Sequence, residues 1–162
     1  MIFVTLGSQK FQFNRLLKKI DNLLKENAIK ESVFAQIGYS NYSPKYFGYK
    51  AFLDREEFDL VEKKADIIIT HGGTGAIISA IKKHKKVIAV PRCAQYHEHV
   101  DDHQLQIVRE FSTQNYIYGL DNCDDLGIAI EKIQDLEFRK YKSNTERYIQ
   151  DIKNFLNGDL IK

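Results

Sequence analysis

Residues 69–76 read Ile69-Thr70-His71-Gly72-Gly73-Thr74-Gly75-Ala76, three glycines in four positions. They lie between the apolar run "ADIII" and the segment "AIISAIKKHKK". An apolar run, a glycine-rich turn and an apolar segment of helical period make a strand, a loop and a helix. The loop is either a turn that uses glycine for its geometry or a cradle for a phosphate. A Walker A loop needs a lysine that this stretch lacks, and the dinucleotide pattern fails because Ile78 stands three residues beyond Gly75. The physical parts of an anion site are nevertheless present. Glycine lets backbone N–H groups come close, Thr74 is placed to cap the helix, and a helix N-terminus favours negative charge.

Outward from this stretch, strands and helices alternate. "IFVTLG" (2–7) reads as a buried strand, and the helical spacing of Phe13, Leu16, Leu17, Ile20, Leu23 and Leu24 predicts the helix after it. "SVFAQIG" (32–38) and "YKAFL" (49–53) read as strands on either side of the aromatic loop "YSNYSPKYF". "DREEFDLVEKKA" (54–65) starts acidic and ends basic, as a helix dipole prefers. "DIIIT" (66–70) and "KVIAVP" (86–91) are strands flanking the glycine loop and its helix. "HQLQIVREF" (103–111) reads as a helix, "NYIYG" (115–119) as a strand and "CDDLGIAIEKI" (123–133) as a helix. The closing segment 138–156 reads as a helix with Tyr148, Ile152, Phe155 and Leu156 on one stripe. This order predicts an α/β fold: a Rossmann-like parallel sheet with helices on both faces, in a single domain spanning 1–162.

With 162 residues, 43% of them hydrophobic and 28% charged, the chain can bury one proper core. A formal charge of +2 gives no sign of nucleic-acid binding. The apolar runs are too short to span a bilayer, and the opening "MIFVTLG" does not read as a signal peptide, so a cytoplasmic location is expected. Cys93 and Cys123 form no CxxC pair and are expected to be reduced thiols.

In an open α/β sheet, ligands sit beyond the carboxyl ends of the strands. Four loops there stand out: "GSQKF", "FLDRE", "THGGTGA" and "PRCAQYHEHVDDHQ". In the last, His97, His99 and His103 suggest the HxHxDH metal motif, but an extra acid separates Asp101 from His103 and no histidine follows. That loop is therefore read as metal-free, either a solvated connection or a set of donors for sugar hydroxyls. Lys82, Lys83, Lys85 and Lys86 read as the exposed end of a helix.

Together, "FLDREEFDLVEKKADIIITHGGTGAIISAIKKHKKVIAVPR", "YHEHVDDHQLQI" and the opening "VTLGS" resemble the donor-binding, C-terminal half of family 28 glycosyltransferases of the GT-B fold. The likeness is to small split members: the soluble subunit of the dolichol-linked N-acetylglucosaminyltransferase and bacterial exopolysaccharide or capsule galactosyltransferase enhancers. It implies a UDP-sugar as substrate and no cofactor. The backbone of Phe52 and Leu53 would face the uracil, and His71, Gly72, Gly73, Thr74, Gly75 and Ala76 would take the diphosphate. His103 and Gln104 match the pair that contacts the sugar hydroxyls. Arg92, His99 and Asp102 would line the same pocket, and Gly7 and Ser8 would close it. Ser79 stands where many relatives carry a ribose-binding Glu; a serine makes one of those bonds but cannot accept both.

A complete GT-B enzyme has two such halves, and this chain has the size of one. The resemblance thus implies an inverting hexosyltransferase acting in exopolysaccharide or capsule biosynthesis. Its membrane-anchored partner subunit would bind a lipid-linked acceptor, supply the base and recruit this chain to the inner membrane face. The C-terminal helix is a candidate partner contact. Two alternatives remain: a non-catalytic accessory subunit and a metal-dependent hydrolase.

Overall fold

The structure, a computed structural model, describes residues 1–143, 149–150 and 153. Six strands form one parallel sheet: β1 (Ile2–Thr5), β2 (Val33–Gln36), β3 (Gly48–Lys50), β4 (Ile67–His71), β5 (Lys86–Val90) and β6 (Tyr118–Gly119). Their spatial order is β3-β2-β1-β4-β5-β6, the doubly wound order of nucleotide-binding folds. Among the described residues, α1 (Asn14–Lys25), α2 (Arg55–Lys64), α3 (Thr74–Lys82) and α4 (His103–Thr113) join strands, and α5 (Leu126–Ile133) follows β6. The expected α/β class, equivalent to one Rossmann-like half of a GT-B glycosyltransferase, holds.

The period of two in each central strand sends side chains to two cores. Ile2, Val4, Ile67, Ile69, Ile88 and Val90 pack beneath α1 and α5. Phe3, Ile68, Val87 and Ala89 face the other way, against residues of α2, α3 and α4. Both faces are covered, so β1, β4 and β5 read as unbroken apolar runs.

The order reverses at β1, which pairs with β2 on one side and β4 on the other. Chains leave β1 and β4 toward opposite faces there and open a crevice at their carboxyl ends. The glycine loop, running out of β4, lies at this crevice.

β1 and β2 end two residues earlier than expected, and three other boundaries differ with an identifiable cause. The strand expected over 49–53 is Gly48–Lys50. Its partner β2 turns away at Gly38, whose φ is +58°, and the Leu53 amide bonds instead to Gln36 Oε1 at 3.0 Å. β6 is only two residues long, because the left-handed turn at Asn115 (φ +58°) follows α4. α5 begins at Leu126 rather than Cys123; Asn122 Oδ1 accepts from the Asp124 amide and holds 122–124 in a turn. The stripe Tyr148, Ile152, Phe155 and Leu156 lies outside the described residues.

β2 and β3 are parallel neighbours joined through 37–47 without a helix. Side chains of α1 hold this connection. Buried Asp21 accepts from Tyr42 Oη (2.7 Å) and from the Lys45 and Tyr46 amides. Asn14 Oδ1 accepts from the Asn41 and Tyr42 amides, and Ser40 Oγ accepts from the Phe13 amide.

Candidate functional site

A cleft of about 490 Å³ lies over the crevice, lined by the loop after β1 (Gly7, Ser8, Gln9), the end of β4 and the turn into α3 (71–76), His99 of the loop before α4, and the start of α4 (His103, Gln104, Ile107). Its floor is built by close approach. A Cβ on Gly72 would stand 2.7 Å from the Gln104 carbonyl oxygen, so the loop and α4 touch backbone to side-chain-free backbone. The His71 ring fills the space beside two further glycines: Cβ atoms at Gly7 and Gly73 would lie 2.7 and 2.4 Å from it. Gly75 is different. A Cβ there meets nothing within 4 Å, so this glycine keeps the cleft open.

Gly73, not Thr74, is the cap residue of α3; Thr74 already has helical backbone. The expectation that Thr74 caps the helix is therefore corrected, and the consequence is chemical. The Ile77 amide is the first to bond back, to Gly73 O at 3.1 Å. Among the described residues the amides of Thr74, Gly75 and Ala76 have no acceptor, and they sit at the positive end of the helix dipole at the cleft. No acidic side chain stands in the first turn of α3 to compete for them.

His71 is the last residue of β4, and it is buried. Burial is the main cause that lowers its pKa to about 4, the nearby Arg92 charge adds to this, and the Thr5 carbonyl opposes it. The ring is neutral near pH 7. Thr70 Oγ1 donates to Thr5 O at 3.0 Å, so at 3.4 Å it can only accept from His71 Nδ1. These partners assign the proton to Nδ1 and leave Nε2, between Gly7 and Gly73, an acceptor.

The loop from Pro91 to Asp102 is held mostly by its own acids. Glu98, buried, takes both Arg15 Nε and Nη2 (3.1 and 2.9 Å) and the Cys93 amide. Asp102 Oδ1 accepts from the Ala94 amide at 2.9 Å. Asp101 Oδ1 faces His99 Nδ1 at 3.0 Å and accepts from the His103 amide, while the His99 ring lies tilted at 42° against Phe11, ring centroids 4.6 Å apart. The acids of "HEHVDDH" thus shape the loop, and His99 and His103 are what it presents to the cleft. Among the described residues, no three His, Cys, Asp or Glu side chains come together as a metal site.

Of the residues singled out from the sequence, Gly7, Ser8, His71 to Ala76, His99, His103 and Gln104 line this cleft. Five do not. Phe52 and Leu53 follow β3 on the same edge of the sheet, three strand spacings from β4, roughly 14 Å. Phe52 packs edge-on against Tyr39, both rings half exposed. Ser79 is turned toward α2, where Oγ donates to Glu62 Oε1 at 3.4 Å. Asp102 is occupied by Ala94, as above. Arg92 is fully buried beneath the cleft, its Nη2 donating to Leu6 O and Phe11 O, because the backbone of β5 carries it under the β1–α1 loop. Gln9, in the loop "GSQKF" singled out from the sequence, lines the cleft too, and Ile107 was missed. Gln9 follows the Gly7-Ser8 pair directly, and Ile107 stands one helical turn past His103, a signal that helical spacing carries.

Residues 1–156 match the glycosyltransferase family 28 C-terminal domain, and the chain belongs to that family. It is 29% identical over 92 residues to the UDP-N-acetylglucosamine transferase subunit ALG13 of Candida glabrata, covering 54% of this chain and 43% of that protein. With the Candida albicans subunit of the same name it shares 26% over 99 residues, 60% of this chain and 29% of that one. The matched part is thus under half the length of these relatives. Among solved structures, the glycotransferase of kitacinnamycin superposes with a TM-score of 0.58 at 15% identity, over 82% of this chain and 34% of that one.

Proposed function

We propose that this chain is the donor-binding subunit of a two-component glycosyltransferase that uses a UDP-sugar. The observation that carries the reading is the uncapped N-terminus of α3, three free amides opening into a glycine-walled cleft at the switch point of the sheet. Family membership supports a nucleotide sugar as the anion's source. The diphosphate lies on the amides of Thr74, Gly75 and Ala76, and the uracil lies toward Phe52 and Leu53, across β1 and β2. His99, His103 and the carboxamide of Gln104 meet the sugar hydroxyls. The Gln104 Oε1 is already held by the Arg92 amide at 3.2 Å, which fixes the group's orientation. Ser79, committed to Glu62, takes no part in holding the ribose.

The reaction is an inverting displacement. An acceptor hydroxyl attacks the anomeric carbon from the face opposite the diphosphate, and a base on the partner takes its proton. The bond from that carbon to the diphosphate oxygen breaks, and UDP leaves with the electron pair, its new charge stabilised by the α3 amides. No catalytic base is assigned to this chain. The relatives are named for N-acetylglucosamine transfer, which makes UDP-N-acetylglucosamine the first donor to test, with UDP-galactose and other UDP-hexoses after it. The acceptor is lipid-linked, and a membrane-anchored partner subunit brings this chain to the inner face of the membrane; exopolysaccharide or capsule assembly is the setting we propose. Among the described residues, no helix is long and apolar enough to cross a membrane.

Titration calorimetry with UDP and UDP-sugars, on the chain alone and with its partner, tests the reading. Binding in the micromolar range is expected, and no heat in either form overturns it. Gly75→Val fills the open space at the α3 N-terminus without touching the core. It should lower UDP affinity at least roughly a hundredfold while the melting temperature stays within a few degrees. Retained affinity would show that the loop is only a turn.

A further inference from the structure

Arg92 lies on no surface of the cleft, yet its placement is hard to account for by packing. Its side chain is fully buried, and Nε and Nη1 have no hydrogen-bond partner among the described residues. Only Nη2 is used, donating to Leu6 O at 2.7 Å and Phe11 O at 3.2 Å. Nor is the charge neutralised. Among the described residues the acid that acts on it is Glu98, and Glu98 gives both its oxygens to Arg15 and the Cys93 amide. The Phe13 ring, 5.6 Å from the guanidinium carbon, offers a weak cation–π contact. Burial lowers the Arg92 pKa to about 10, so it remains a cation at neutral pH. A buried cation with two idle nitrogens and no counter-ion costs stability and calls for a compensating role.

Its neighbours say what that role is. Leu6 and Phe11 bracket the segment that contributes Gly7, Ser8 and Gln9 to the cleft wall. The Arg92 amide holds Gln104, and the Arg92 charge depresses the pKa of His71. Three groups lining the cleft therefore lean on one residue beneath it. From the orphaned guanidinium and these contacts, we propose that Arg92 is a positioning residue of the donor site. It ties both ends of the β1–α1 loop under the cleft and lends its unneutralised charge to the bound diphosphate without touching it. This rests on the reading of the cleft as a diphosphate seat. The counter-ion that the fold omits is then the substrate. Binding a dianion above Arg92 relieves the unpaired charge, and the low-permittivity floor transmits the interaction better than water would.

Affinities of the full chain for UDP, inorganic pyrophosphate and uridine, the last lacking phosphate, test the proposal. Arg92→Gln should weaken UDP and pyrophosphate roughly ten- to thirtyfold and uridine less than about twofold. Arg92→Lys, which keeps the charge but not the fork, should recover most of the UDP-to-uridine ratio. A loss shared equally by UDP and uridine would leave Arg92 a structural strut, and unchanged UDP affinity would remove even that; either overturns the proposal. Should Arg92→Gln fail to fold, the wild-type chain decides. The Arg92 Nε–H resonance should shift on saturation with pyrophosphate, and a resonance that stays put counts against the charge coupling. A wild-type chain that binds neither UDP nor pyrophosphate brings down the diphosphate seat itself, a failure distinct from loss of the Arg92 effect alone.

Discussion

At the amino edge of the sheet, Lys83, Lys85 and Lys86 each end on an oxygen of another element. Lys83 pairs with Asp59 and buried Glu62, Lys85 Nζ donates to the Lys63 and Ala65 carbonyls that close α2, and Lys86 Nζ donates to the Ile133 and Gln134 carbonyls that close α5. At the carboxyl edge the amides of Thr74, Gly75 and Ala76 and two nitrogens of Arg92 meet no acceptor among the described residues. Both edges are rich in donors. The first uses them on its own helix ends, where positive charge belongs, and the second leaves them open, as the proposed donor site requires. A run of charge, therefore, says less about function than the number of its donors left over. The sequence segment "KKHKK" looks like the more conspicuous basic feature, but it is nearly all internal wiring.

Disturbing the wiring that supports the carboxyl edge should give the largest effect. Glu98→Gln keeps the shape but strips Arg15 of its buried partner. A loss of about 3 kcal/mol in unfolding free energy is expected. Urea denaturation reads it. UDP affinity should fall as well, because the loop presenting His99 and His103 loses its anchor. A change within about half a kcal/mol would mean that Arg15 is adequately solvated at its partly exposed side.

His71 sharpens the contrast through pH. Its folded pKa of about 4 lies below the ordinary value of 6.5. The folded state thus favours the neutral ring, and the stability this gives is full above pH 6.5. It drains away as pH falls toward 4, where the unfolded chain binds the proton and the folded one does not. Roughly 3 kcal/mol should be lost over that window. Urea midpoints at pH 7 and pH 4.5 for the wild type and His71→Asn measure it. The asparagine variant should show a distinctly flatter dependence, and parallel profiles would place the pH sensitivity elsewhere.

The sequence disclosed what depends on neighbours along the chain. The apolar runs of β1, β4 and β5 stood out because both faces of those strands are buried. The acidic start of α2 is a capping box, Asp54 Oδ1 accepting from the Glu57 amide at 2.8 Å. The glycine loop named the cleft. What stayed hidden depends on partners far away in the chain. Asp21 holds a loop 21 to 25 residues onward, and Lys86 reaches carbonyls 47 and 48 residues away. Arg92 was placed in the pocket by the family resemblance, which matches stretches of chain and not their depth in the fold. Only the path of the β1–α1 loop over it reveals that it is beneath the floor. Ser79 was singled out by the resemblance, as standing where many relatives carry a Glu, and the structure pairs it with Glu62 on another helix.

The smallest effect expected belongs to the amino edge, and it is the control for the others. Lys85→Met retains the apolar stem but removes the donor from the Lys63 and Ala65 carbonyls, at a cost of about 1 kcal/mol. Lys86→Met should do the same at the end of α5. Because the helix ends they satisfy lie across the sheet from the cleft, UDP affinity should be unchanged within about twofold in both. If instead affinity fell with the loss of either lysine while stability held, the division between a self-satisfied edge and a receptive one would be wrong. The basic run would then have to act on the donor through the field of the whole domain. Repeating the titration across salt concentrations would separate that long-range effect, which fades with ionic strength, from a contact-dependent one.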